Sequence, residues 1–345
     1  MRVEKNVLIS IEASDVKNGV LKLPKSVKKI ADKAVTYNDS IVKVIAPALE
    51  EIGNYNFRYC NALVQFDAPV LTSMGNYNFY ECNALVQFDA PVLTSMGNYN
   101  FHVCNALTQF DAPVLTSMGN YNFYECNALT QFDAPVLTSM GNYNFYECNA
   151  LVQFDAPVLT SMGNDNFRVC DALTQFDAPV LTSMGNYNFR YCNALNFLKL
   201  GNRELTVKIV DNTIFVIQNA KTTKGIILYA GYVLNSIYEN KINKTDCFVA
   251  EKDGFFAHGT DVKKAISDVQ FKIVAEKLKN EPIKADTMIS VNYYRLITGA
   301  CEMGCKEFIQ RNNLDKDEYR ADELLPILEK NHAYGIEKFK RLVDF

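Results

Sequence analysis

The chain has 345 residues, of which 48% are hydrophobic and 21% charged, with a formal net charge of −4. This composition suits a soluble protein of two or three packed domains and excludes a disordered or collagen-like chain. No apolar run reaches the roughly 18 residues of a membrane helix. Residues 53–195 carry 3 basic and 11 acidic side chains, so they offer no basic footprint for nucleic acid.

The first segment, MRVEKNVLISIEASD, lacks the apolar stretch of a secretory signal, and a cytoplasmic location is expected. Residues 1–52 read as an N-terminal strand or cap with divergent repeats. LPKSVKKI at 23–30 and VIAPALEEIG at 44–53 keep the proline and the final apolar position of the regular unit FDAPVLTSMG at 88–97. From Gly53 the repeat is regular. Gly53, Gly75, Gly97, Gly119, Gly141, Gly163 and Gly185 are each 22 residues apart, and each opens GNYNFYECNALVQFDAPVLTSM or a near copy. The array runs over 53–200.

A 22-residue period is too short for paired helices and fits one strand with a returning turn. Phe88 and Ala90 share one face of a short strand, while Gln87 and Asp89 point the other way. Pro91 ends the strand because it has no N–H to donate. Leu93 and Met96 are spaced for a loose 3₁₀-like turn, and Gly97 suits a left-handed or tight-turn position. Stacked copies place Phe88 on Phe110 on Phe132. The expected fold is a parallel β solenoid of 22-residue leucine-rich-type repeats, followed by a small α+β domain.

The pattern L-x-x-F-x-x-P-x-L-x-x-M-G-x-x-x-F-x-x-C resembles the BspA-type leucine-rich repeat over roughly residues 19–200. Members of that family commonly have Ala where this chain has Asn100, and Ile or Leu where it has Phe88. The resemblance implies the solenoid fold. Relatives are often surface proteins that bind host proteins or other cells, but the repeat pattern carries no active residues to transfer.

Two rows of residues are candidates for binding. Gln87, Asp89, Gln109, Asp111, Gln131, Asp133, Gln153, Asp155, Gln175 and Asp177 form an amide and carboxylate face on the strands. That face suits a protein partner with a basic surface. The outer turn varies at Arg58, Tyr80, His102, Tyr124, Tyr146, Arg168 and Arg190, which reads as a solvent-facing stripe.

Seven cysteines, Cys60 to Cys192, recur once per unit at inward slots. Parallel stacking is poor geometry for disulfides, so buried reduced thiols are expected.

After Arg203 the period is gone. Residues 203–345 read as strands at 204–210, 213–218 and 225–234, a hairpin at 245–259 turning at KDG, and an amphipathic helix from Asp261 to Lys279. Further helices are expected near 287–298, 300–311, 322–330 and 333–343. Chemistry here is thin. Cys301 and Cys305, with Cys247 or His332, do not complete a metal site. His258, Asp261 and Cys247 do not force a catalytic set. No catalytic, cofactor-binding or metal motif occurs, and no cofactor is expected. The sequence therefore favours a non-enzymatic interaction module with the solenoid face as docking surface. The alternative is an enzyme or regulator acting through residues 203–345, with the repeats as a targeting arm.

Overall fold

Each unit forms one coil carrying two short parallel strands. In the coil that opens at Gly75 these are Gln87–Asp89 and Ser95–Met96. Phe88 is buried between exposed Gln87 and Asp89, the alternation of a half-buried strand. The chain turns at Pro91 and re-enters the stack at Ser95. The stretch from Leu93 to Met96 thus ends in a second strand, Ser95–Met96, where spacing alone suggests a 3₁₀-like turn. It bonds to the neighbouring coils, which supply what a turn would supply locally. The Thr94 N–H and hydroxyl both donate to the Thr72 carbonyl, each at 2.9 Å.

The coils stack in register. One buried column runs from Leu8 through Ile30, Ile52 and Met74, and coil by coil to Met184. There Ile237 closes it in an antiparallel pairing. The second column starts with Leu21 and Val44 and continues into Phe66 and Phe88. This sheet is interrupted twice: Gln109–Asp111 pairs only with Gln131–Asp133, and Gln153–Asp155 pairs onward with Gln175–Ala178. Like carboxylates stand opposite one another at Asp67 and Asp89, Asp111 and Asp133, and Asp155 and Asp177, which weakens the ladder. The computed structural model describes residues 1–278, 282–298 and 302–345.

The remaining part of each coil is an outer turn with an unusual backbone. Tyr77, Phe79 and Glu81 all adopt left-handed φ angles of 56–58°, and the same three positions repeat through Tyr187, Phe189 and Tyr191. The conformation costs roughly 1–2 kcal/mol for each such residue, and hydrogen bonds to adjacent coils offset it. The Tyr77 and Glu81 N–H groups donate to the Asn98 and His102 carbonyls, and that of Phe79 donates to Asn56. The repeat glycines are not left-handed, contrary to the reading of Gly97. A Cβ at Gly97 would lie 2.8 Å from the Gly75 carbonyl oxygen, so glycine is needed for close approach of successive coils.

Asn100, where relatives carry Ala, is fully buried and its side chain ties its coil to the preceding one. Its Oδ1 accepts the Asn78 N–H and its Nδ2 donates to the Gly75 carbonyl, both at 2.9 Å. A second column runs from Asn54 to Asn164, each side-chain oxygen accepting from the next asparagine, and it begins at Asp32. The repeat cysteines are buried and unbridged. Each thiol from Cys82 to Cys192 donates to the carbonyl of a left-handed phenylalanine in the preceding coil, as Cys104 does to Phe79 at 3.0 Å. Cysteine fits this slot because it is small, apolar and a weak donor.

The chain divides into two compact units: Met1–Asn219 with Ala230–Asp246, and Ala220–Tyr229 with Cys247–Phe345. The strands after the repeats therefore begin within the first unit. Phe197–Leu200 pairs parallel with Gln175–Ala178, and Arg203–Val210 folds back on it antiparallel, turning at left-handed Gly201. The next hairpin turns at Asp211 and Asn212, both left-handed.

In the second unit, Lys241–Lys252 contributes Phe248 to Lys252 to a hairpin with Phe255–Gly259, turning at Asp253 and Gly254 as the KDG signal indicates. Helix α1 (Val262–Leu278) follows, and the Asp261 carboxylate caps it by accepting the Lys264 N–H at 2.9 Å. Ala265 and Val269 of α1 pack on Ala250 and Ala257. The helix expected from 287 starts later, as α2 (Val291–Thr298), because Met288–Ser290 is a strand paired with Glu318–Arg320. Helices α3 (Glu302–Arg311), α4 (Ala321–Lys330) and α5 (Ile336–Lys340) complete the unit. Tyr294, Leu324, Leu328 and Phe339 lie in their shared core.

Candidate functional site

The strand face of the coils is uniform. Gln87, Asp89, Gln109, Asp111, Gln131, Asp133, Gln153, Asp155 and Gln175 are exposed, and Asp177 is half-buried. Phe88, Phe110, Phe132, Phe154 and Phe176 lie beneath them, fixing every Gln and Asp outward. Gln153 donates to Asp155 at 2.6 Å. At the end of the row Asp177 meets Lys199 at 3.7 Å, which is the one ion pair of this row among the described residues.

Beside the carboxylates runs an apolar stripe that the sequence reading did not single out. Val92, Val114, Val136, Val158 and Val180 are each 39–45% exposed, and the prolines preceding them face outward too. The repeated Pro-Val dipeptide carries the signal. It is overlooked when valine is assumed to be core.

The opposite, outer-turn side is a surface of stacked rings. Tyr77, Tyr99, Tyr121 and Tyr143 form one column with centroids 4.5–4.6 Å apart. Tyr80, His102, Tyr124 and Tyr146 form a second, at 4.6–4.7 Å. The variable positions are therefore half-buried against one another, where the sequence suggests open solvent exposure. Arg58 lies over the Tyr80 ring at 5.0 Å and Arg168 over Tyr146 at 5.4 Å, extending the second column with cation–π contacts. Arg190 sits over Tyr187 and Tyr191. Burial pushes the Tyr124 hydroxyl up to about 12 and His102 down to about 4. One coil breaks the pattern. Asp165 replaces the column tyrosine and pairs with Arg168 at 3.3 Å, and Asp171 replaces the surface asparagine of the other coils. That leaves the buried Asn149 Oδ1 without a partner.

The second unit holds the cysteine and histidine candidates of the sequence. Asp261 acts as a helix cap, His258 sits on a strand opposite Val249, and Cys301 lies outside the described residues. Among the described residues no three His, Cys, Asp or Glu side chains gather as metal ligands. A cavity of about 440 Å³ is lined by Ile289, Tyr294, Cys305, Phe308, Leu324 and neighbouring residues. No helix among the described residues is long and apolar enough to cross a membrane.

The profile of the BspA type leucine rich repeat region matches residues 15–108 and 94–221, with six copies. The chain belongs to this family. The BspA-type pattern thus covers the coils and runs on into the hairpins that come after them. Among solved structures, a leucine rich cell surface protein from Faecalibacterium prausnitzii A2-165 is similar over 59% of this chain and 52% of its own, at 20% identity and a TM-score of 0.40. The BspA-type chain thus spans about half the length of that protein. A leucine-rich repeat protein from Bacteroides ovatus ATCC 8483 is similar over 55% of this chain and 70% of its own, at 16% identity and a TM-score of 0.25. No curated protein matches the chain.

Proposed function

We propose that the chain is a non-enzymatic protein-binding module, with the Gln and Asp rows of the coils as its docking surface. The observation that carries this reading is the row itself. Asp89, Asp111 and Asp133 are exposed in register, and no ion pair among the described residues neutralises them. Side chains kept outward and uncompensated on successive coils attract a basic partner and repel an acidic one. The unpaired repeat thiols fit a reducing, cytoplasmic location.

An oligolysine peptide tests the reading. Full-length protein should bind it at low salt, and replacing Asp111, Asp133 and Asp155 together by Asn should weaken binding about tenfold. The difference should shrink as salt screens exposed charge over about 8–10 Å. Equal affinity of the two proteins at low salt would reject the Asp row as the site. The cavity of the second unit would then carry the alternative reading, a regulator or enzyme with the coils as targeting arm.

A further inference from the structure

The cavity of about 440 Å³ in the second unit is walled by that unit's own residues, between 289 and 334. Its floor is apolar and buried, formed by Ile289, Leu324, Leu328 and Ala333. Helices α2, α3 and α4 each supply part of the wall, through Tyr294, Phe308 and Leu324. Protein interiors are close-packed, with few voids larger than a water molecule. A space of this size falls instead within the range of small-molecule pockets, about 300–1,000 Å³.

We propose that this cavity binds one small, uncharged, ring-bearing apolar molecule. The site is independent of the docking surface proposed for the coils. The buried aliphatic floor selects an apolar body, because burying that surface on both partners removes it from water. Three aromatic side chains of the lining, Tyr294, Phe308 and Tyr319, favour a ring system. Ring pairs attract one another beyond the effect of area alone, and a rigid ligand loses less freedom on binding than a flexible chain.

The polar groups of the lining select against charge, because they are already engaged. The Tyr294 hydroxyl donates to the Tyr334 carbonyl at 2.9 Å. The Tyr319 hydroxyl accepts from the Asp315 and Lys316 N–H groups at 2.8 and 3.1 Å, and donates to the Asp315 carboxylate at 3.2 Å. Ser290 Oγ accepts the Tyr293 N–H at 3.1 Å. Lys316 lies over the Tyr319 ring at 5.2 Å and pairs with Glu323 at 3.4 Å. A charged ligand would give up its hydration here without replacement. An anion is disfavoured twice over, since Asp315, Asp317 and Glu318 surround Lys316 in the chain.

The probe is N-phenyl-1-naphthylamine, an uncharged dye that brightens in apolar surroundings, titrated into the full-length protein. Its control, 1-anilinonaphthalene-8-sulfonate, carries the same rings with an added negative charge. The uncharged dye should bind saturably, one per chain, and at least about tenfold more tightly than the sulfonate. Ala333→Leu puts a larger side chain into the floor and should weaken the dye at least about tenfold. Cys305→Phe fills the half-buried wall instead, and it decides the matter if Ala333→Leu loses its far-ultraviolet signature. Binding that does not saturate, or that is undiminished in a folded filled variant, would place the dye elsewhere and overturn the site. Sulfonate binding as tight as that of the uncharged dye would overturn the choice of an uncharged ligand. Oligolysine binding should be the same in these variants as in the natural protein. Failure of the cavity therefore leaves the Asp row standing, and failure of the Asp row leaves the cavity standing.

Discussion

The imidazole of His102 lies flat against the ring of Tyr124, centroids 4.7 Å apart and planes within 4°. Tyr80 covers its other face at 4.6 Å, and its Nδ1 is buried without a hydrogen-bond partner. Burial therefore favours the neutral ring and lowers its pKa from 6.5 to about 4. An unfolded chain takes up this proton first as the pH falls. The stability contributed by burying the neutral ring is complete above about pH 6.5 and is lost progressively toward pH 4. His102→Tyr, the residue at the same position in neighbouring coils, should remove that part of the acid sensitivity. Denaturant midpoints of both proteins between pH 7 and pH 4 measure it, and parallel curves would show that His102 is not held neutral.

Gly119 faces the Gly97 carbonyl of the preceding coil, and a Cβ there would lie 2.8 Å from its oxygen. The clash is with backbone, which cannot rotate away. Gly119→Ala should cost about 3 kcal/mol, at the upper end for overpacking. A loss below 1 kcal/mol by denaturant titration would mean that the coils are spaced more loosely than this contact requires.

The Cys126 thiol is fully buried, donates to the Phe101 carbonyl at 3.0 Å, and is pushed up to about 12 by its surroundings. Thiolate is the reactive form, so the repeat cysteines should resist alkylation at pH 8 until the coils unfold. Mass spectrometry of peptides from native and denatured protein reads the difference. Rapid native labelling of peptides containing Cys104, Cys126 or Cys148 would contradict the packing.

Asp171 interrupts a surface column in which Asn83, Asn105, Asn127 and Asn149 each donate to the asparagine below. Asp171→Asn supplies the missing amide to Asn149 Oδ1. It should stabilise the protein by about 1 kcal/mol, the net value of a typical hydrogen bond. A neutral or destabilising result in thermal or denaturant unfolding would show that this oxygen is satisfied by solvent.

The coil itself was legible because burial selects residue type. Phe88, Leu93 and Phe101 are large, apolar and fixed in register, so their period reveals the stack. The two-residue strand at Ser95–Met96 was not legible, since alternation needs more residues than it has. The left-handed turn at Tyr99, Phe101 and Val103 also left no local sign. Its hydrogen bonds go to other coils, and no glycine or proline marks it. Of the candidate residues, the outward set of Gln and Asp was implied directly by Phe88 pointing inward. The variable outer-turn residues were placed on the correct side of the coil, but their mutual stacking depends on neighbours 22 residues away. The short pairing of Met288–Ser290 with Glu318–Arg320 joins segments too far apart and too brief for a periodic signal.

Asp32 gives the stack a direction. Both of its carboxylate oxygens accept from Asn54, so it serves the coil above as an asparagine would, yet it has no amide to offer below. At the other end Asn186 donates its backbone N–H to Asn164 and keeps an exposed side chain. The strand carrying Leu8 lies beyond the Asp32 coil at one end, and Ile237 covers Met184 at the other, so the ladder starts and stops inside one chain.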